Sequence, residues 1–212
     1  MPKGTGANTA AGTGGNRYRP FPLEGAHVRR GEKFFKDGEA SSDERFSTQR
    51  YTGSAYYEVN RFLRGQTSQA EGEAQPIIDR LDDMFNKPGA RTKANGVVYR
   101  GLGSDDPIRN ALIEGKLKVG TVFSDKAFVS TSISAKQASD FGTSSNATGG
   151  LKPVLRIRVK KGSKAVHVRS VSNFKNEFET LLARGAKFKI RGAKTQAIDG
   201  KGMYVIDADL IQ

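Results

Sequence analysis

The chain has 212 residues, with Lys+Arg 35 against Asp+Glu 22, a formal net charge of +13. That length fits one good-sized domain or one domain plus a tail. The basic excess favours acidic partners (nucleic acid, a phosphate-rich cofactor, an anionic surface or an acidic protein) without choosing among them. Cysteine is absent and the two histidines, His27 and His167, are far apart, which excludes disulfides and thiolate sites and argues against a His-based metal cluster or a Ser-His-Asp triad.

Residues 1 to 16 hold Gly, Thr, Ala and Asn with almost nothing to bury, so disorder is expected there. Residues 17 to 45 scatter aromatics (Tyr18, Phe21, Phe34, Phe35) among charges and glycines and read as a loosely ordered lead-in, one that could pack on the domain behind. The folded domain is expected over 46–212, from Phe46 onward.

Tyr56, Val59 and Leu63 fall at helical spacing, and Gly65 closes that helix. A second helix starts at Pro76 and carries Ile77, Leu81 and Met84 on one face. Val97 to Arg100 is a strand, broken by Gly101-Leu-Gly103. Asp106-Pro107 opens a third helix with Ile108, Leu112 and Ile113.

β signals then dominate. Val122-Phe123 and Phe128 to Ser132 are short strands, with a helix between Ser134 and Phe141. Val154 to Val159 alternates, with Leu155, Ile157 and Val159 inward and Arg156, Arg158 and Lys160 outward. Strands over Ala165–Val168, Glu177–Leu182, Lys187–Ile190 and Met203–Ile211 complete the pattern. Helices first and strands after argue for an α+β fold.

The strand ending in Leu181-Leu182 carries Glu177 and Glu179 one residue apart. Side chains on a strand alternate faces, so both carboxylates are expected on one face, where like charges repel and raise one pKa. Taken alone, an exposed edge strand with two solvated carboxylates is the plainer reading. Other features in chain order change that. They are Tyr51-Thr-Gly-Ser-Ala-Tyr56-Tyr57-Glu-Val-Asn60-Arg-Phe-Leu63-Arg64-Gly, then Val98-Tyr99-Arg100-Gly101, then Phe128-Val129-Ser130-Thr131-Ser132 with Phe141-Gly142 beyond, and last Glu177-Phe178-Glu179.

In that order these motifs resemble the Arg-Ser-Glu class of ADP-ribosyltransferases, closest to the enzymatic components of binary and insecticidal toxins and to phage enzymes that modify host proteins. The likeness runs from Tyr51 to Ile190. It implies a mixed β-sandwich core preceded by N-terminal helices, NAD as co-substrate, no metal, and transfer of ADP-ribose to a protein. Arg100 would clamp the NAD pyrophosphate through a bidentate contact, with Gly101 letting the ligand approach the backbone. Ser130 would bond the nicotinamide-side ribose or hold the catalytic glutamate, with Thr131 and Ser132 supporting the strand.

Glu179 would stabilise the oxocarbenium-like transition state, and Glu177 would activate the acceptor. A glutamate rather than glutamine at 177 implies an arginine acceptor. Tyr51, Tyr56 and Asn60 would belong to the helix that covers the cofactor. Phe141 would stack on nicotinamide, or equally end a helix in the core. Phe174 would touch the target protein, or fold back as a core anchor.

There are departures from the family pattern. Gly101 replaces a second arginine, and Ser144 stands where relatives carry another, followed by the insertion Thr143–Gly150; Lys152 is the candidate to supply that charge. The enzyme is expected to act as a monomer in the cytoplasm of a host or target cell, with no membrane partner and no signal peptide in the sequence. Two alternatives stay open: a basic nucleic-acid-binding module, suggested by the net charge and by Lys160-Lys161-Gly-Ser-Lys164, and a catalytically silent NAD-binding domain.

Overall fold

The computed structural model describes residues 19–22 and 24–211; the disorder expected over residues 1 to 16 lies outside them. Among the described residues the α-helices are α1 (Ala26–Lys36), α2 (Ser42–Arg50), α3 (Tyr56–Leu63), α4 (Ala74–Asn86), α5 (Pro107–Ile113) and α6 (Ala135–Asp140). The strands among them are β1 (Gly96–Gly101), β2 (Val122–Ser124), β3 (Val129–Ser132), β4 (Lys152–Val159), β5 (Ala165–His167), β6 (Glu179–Leu182), β7 (Lys187–Ile198) and β8 (Lys201–Ile211).

The strands form one ladder in the order β2-β7-β8-β4-β1-β3-β6-β5. Among the strands of the described residues, β4 and β8 are the one parallel pair. One apolar cluster collects Phe188 and Ile190 from near one end of this order, Ala165 and Leu182 from the other, and Val98, Leu155, Ile157 and Ile206 from the middle. The ladder thus encloses a core as a sandwich does. The alternation in β4 holds for Leu155, Ile157 and Val159, while Arg156 and Arg158 face outward and pair with Asp207 and Asp209, their register partners on β8. A second cluster joins α1 and α4 to the sheet through Phe34, Phe35, Leu81, Met84, Phe128 and Leu181.

The lead-in packs on the domain behind it, but as ordered helices rather than a loose segment. Two helices occupy most of residues 26–45. Phe34 and Phe35 are fully buried and Phe21 nearly so, whereas Phe46, taken as the start of the domain, is 57% exposed. α2 begins with a capping box: the Glu44 N–H donates to Ser41 Oγ at 3.2 Å and the Ser41 N–H to Glu44 Oε2 at 2.6 Å.

α1 is clasped to the sheet by its histidine. His27 Nε2 and His167 Nδ1 both meet Thr180 Oγ1, at 3.1 and 3.2 Å, and Phe21 stacks on His27 at 4.3 Å. A Cβ on Gly31 would lie 2.2 Å from the His167 carbonyl oxygen, so only glycine allows α1 this close to β5. Burial lowers the His27 pKa to about 4. It lowers His167 to about 3, helped by the nearby His27 and Arg169 charges. Both rings are held neutral.

Candidate active site

A cavity of about 710 Å³ opens beside β1, β3 and β6, with α3 and the Phe174–Glu179 segment also in its wall. Arg100, at the end of β1, is fixed by its own protein. Its Nε donates to Asp106 Oδ2 at 2.7 Å and its Nη1 to the Ser130 carbonyl at 2.8 Å. Asp106 caps α5, accepting from the Ile108 N–H at 2.9 Å, and is nearly buried. A two-bond contact through Nε is therefore already used internally, and Nη2 is left for a ligand.

Gly101 has a packing reason beside the one expected. A Cβ there would meet the Ala138 carbonyl oxygen at 2.0 Å, so the glycine admits α6 against β1. Close packing of helix on strand forbids a side chain at this position, and Gly101 also lies in the cavity wall, where its bare backbone faces the space a ligand would fill.

Ser130 to Ser132 pair with β6 in the register Ser130↔Leu181, Thr131↔Thr180, Ser132↔Glu179. Thr131 Oγ1 donates to the Thr180 carbonyl at 2.5 Å, and Ser132 Oγ to the Glu177 carbonyl at 2.6 Å. The Ile133 N–H donates to the Phe178 carbonyl at 3.2 Å. The Ser-Thr-Ser strand thus pins the segment that carries both glutamates.

The two carboxylates do not share a strand face. β6 starts at Glu179, Glu177 ends a 3₁₀ turn over Lys175–Glu177, and Phe178 between them has φ 49°, in the left-handed region. Phe178 tolerates this because its ring packs against the main core, with the Arg169 guanidinium 4.7 Å from the ring centroid. Glu179 is 5% exposed, and burial raises its pKa to about 7; Ser130 and Arg100 pull down and the Glu177 charge pushes up. Desolvation also raises Glu177, which lies partly exposed in the cavity wall.

Tyr51 and Asn60 form the buried back of the cavity wall. The Tyr51 hydroxyl donates to the Phe128 carbonyl at 3.2 Å and accepts from Asn60 Nδ2 at 3.1 Å. Tyr51 is fully buried, and burial raises its pKa. A π-helical turn over Tyr51–Ala55 joins α2 to α3 and sets Tyr56 half-exposed in the wall. Phe141 and Phe174 also line the cavity at 52% and 51% exposure, so neither is a core residue.

Ser144 offers its carbonyl to Arg109 Nη2 at 3.2 Å, and Lys152 Nζ donates to the Asp140 carbonyl at 3.4 Å; neither Lys152 nor Arg109 is in the cavity wall. The wall's other arginines are Arg61, over the Tyr57 ring at 5.3 Å, and Arg64. Sequence reasoning passed over both, although their spacing from Tyr57 and Asn60 puts them near one helix face.

The family profile described as ADP-ribosyltransferase exoenzyme matches residues 29–212. The chain belongs to the ADP-ribosyltransferase exoenzyme family. The match begins inside α1, in line with a body that starts ahead of Phe46. Mono(ADP-ribosyl)transferase SpvB of Salmonella typhimurium is 26% identical over 161 residues, 66% of this chain. The chain covers only 25% of SpvB's length. Mono-ADP-ribosyltransferase C3 of Hathewaya limosa is 26% identical over 179 residues, 76% of this chain and 67% of that one.

Among solved exoenzymes, the Clostridium limosum C3 exoenzyme superposes with a TM-score of 0.66 at 22% identity, covering 93% of this chain and 98% of that one. Exoenzyme S from Pseudomonas aeruginosa, solved with human 14-3-3 protein beta and carba-NAD, gives 0.63 at 21% identity over 88% and 82%. These likenesses establish the exoenzyme fold, an α+β sandwich with helices ahead of a mixed sheet.

Proposed function

We propose that this chain is a mono-ADP-ribosyltransferase that moves ADP-ribose from NAD to an arginine side chain of a target protein, acting as a monomer. The observation that carries the reading is Glu179, a nearly buried carboxylate in the wall of a cavity that also holds three arginines and the second carboxylate, Glu177. The residues fit a dinucleotide. Arg61, Arg64 and Arg100 offer charge to a pyrophosphate, and half-exposed Tyr56 and Phe141 offer ring faces to a base or nicotinamide.

The chemistry follows from the charges. As the ribosyl C–N bond breaks, its electron pair leaves with nicotinamide and positive charge grows on the sugar. Glu179, ionised, stabilises that charge in a water-poor site. Glu177 stands nearer the opening, where it accepts a proton from the incoming guanidinium as the new N–C bond forms. Labelled NAD with cell lysate tests the reading: one or more labelled proteins should appear, with the label mapped to arginine by mass spectrometry. Glu177→Gln should cut that transfer far more than NAD hydrolysis, since water needs no positioned guanidinium. Equal losses in both assays would remove Glu177 from the acceptor step.

Arg100→Lys is expected to raise the KM for NAD although charge is kept. A lysine has one nitrogen and cannot bond Asp106, the Ser130 carbonyl and a phosphate in fixed directions. Unchanged NAD affinity in calorimetry would take Arg100 out of the binding role.

Phe174 sits in a polar turn, its N–H bonded to Ser172 Oγ at 3.0 Å, with half its surface in solvent. Exposed aromatics serve as binding anchors. Phe174→Ala should leave NAD hydrolysis intact and stability within about 0.5 kcal/mol, while modification of the protein target falls sharply. A plain drop in melting temperature with loss of both activities would contradict a recognition role.

A further inference from the structure

Arg64 caps the C-terminus of α3, in the cavity wall, and meets Asp125 side-on. Its Nε donates to Oδ1 at 3.1 Å and its Nη2 to Oδ2 at 2.8 Å. Asp125 is no surface partner. It is 2% exposed, in the connection between β2 and β3. Its own N–H donates to the Ala186 carbonyl at 3.0 Å, and its Oδ1 also accepts from the Ala127 N–H at 3.0 Å. The carboxylate is thus anchored by backbone independently of Arg64. α3 holds the other end, where the Arg64 N–H donates to the Asn60 carbonyl at 3.0 Å. A long side chain fixed at root and head has little rotamer freedom left to lose on binding a ligand.

We propose that Asp125 is a positioning residue that presets Arg64 for one phosphate of the dinucleotide; this rests on the NAD reading above. Side-on pairing takes up Nε and Nη2 and leaves Nη1 without a protein partner among the described residues. Asp106 likewise takes the Nε of Arg100, by a single bond, while the Ser130 carbonyl takes Nη1. Two arginines are thereby held by two buried carboxylates, each with a nitrogen to spare, and a pyrophosphate carries two anionic groups.

A bare counter-charge would act in the opposite sense. A carboxylate beside an arginine weakens the positive potential an incoming anion meets. If Asp125 only neutralised Arg64, removing its charge would tighten NAD binding. If it positions Arg64, removal loosens binding, so the sign of the change decides.

Asp125→Asn keeps the side-chain size and an acceptor for the Ala127 N–H. In the full chain, the KM for NAD in glycohydrolysis and the calorimetric Kd should rise roughly ten- to hundredfold, as misplacement of a binding group does. kcat should change little, the mark of lost binding rather than lost transition-state contact. Arg64→Lys, whose ammonium cannot pair side-on, should match it, and the double variant should add nothing further. Asp82→Asn, which breaks the surface pair with Arg184, should leave KM unchanged. An unchanged or lower KM in Asp125→Asn overturns the proposal. Should that variant fail to fold, an unchanged KM in Arg64→Lys does so. A wild-type chain that neither binds nor turns over NAD overturns the NAD reading itself and this proposal with it.

Discussion

Glu179→Gln is expected to be inactive and, above neutral pH, more heat-stable than the wild type. Removing a preorganised electrostatic stabiliser lowers rates roughly 100- to 1000-fold, so both transfer and NAD hydrolysis should fall by that order. Stability moves the other way. Burial holds the folded-state pKa of Glu179 at about 7, above the ordinary 4.5. The folded protein binds this proton more tightly than the unfolded chain, so Glu179 adds stability that is fully present below pH 4.5 and lost as pH rises through 7. At pH 8 the ionised carboxylate costs roughly 3 kcal/mol, since each pKa unit is worth about 1.36 kcal/mol. Glutamine carries no such cost. Melting curves at pH 5 and pH 8 should show the variant's advantage only at the higher pH. The wild-type kcat/KM for hydrolysis should climb as pH passes about 7, where the free enzyme's Glu179 ionises. A flat pH profile, or a variant no more stable at pH 8 than at pH 5, would show that this carboxylate is not desolvated.

Acid should loosen the clasp between α1 and the sheet. His27 and His167 titrate near 4 and 3 in the folded state against 6.5 when free. The unfolded chain therefore takes up protons first, and stability falls as pH drops from about 6.5 toward 3. At pH 4.5 each histidine removes about 2–3 kcal/mol, a large share of a typical domain's stability. No carboxylate among the described residues hydrogen-bonds either ring; each meets Thr180. Protonation of Glu179 over the same interval offsets part of the loss, so the comparison must be with variants. His27→Gln and His167→Asn keep a nitrogen near Thr180 without a titrating ring. Each should flatten the slope of melting temperature between pH 7 and 4.5. A wild-type slope retained in both would show that these histidines do not govern acid sensitivity.

The strands that build the site were legible because their chemistry is local. Val154 to Val159 alternates as a strand must, Val97 to Arg100 is a β-branched and aromatic run closed by glycine, and Asp106-Pro107 is a helix start by any capping argument. The motif order brought Arg100, Ser130, Glu177 and Glu179 to one cavity. What escaped depends on contacts between distant segments. Glu177 leaves the strand because Phe178 turns left-handed to reach the core, which no period-two rule can foresee. α1 carries Val28, Gly31, Phe34 and Phe35 at helical spacing, but glycine and flanking charge hid the stripe. α2 has no apolar stripe at all: its one large apolar residue, Phe46, faces solvent while Ser47 and Thr48 face in. Gly101 answers to a carbonyl 37 residues away in sequence, at Ala138. Arg64 acquires its place from Asp125, 61 residues on.

The parallel pairing of β4 with β8 bears on how the sheet would come apart. β8 lies inside the ladder, between β7 and β4, and supplies Met203, Val205, Ile206, Ala208 and Leu210 to the apolar clusters on both sides of the sheet. Without β8, β4 would keep only β1 beside it, and β7, with β2 beyond it, would lose its pairing to the rest of the ladder. Substitutions that unpair β8 would therefore open two strand edges at once, which invites association between copies rather than a local loosening.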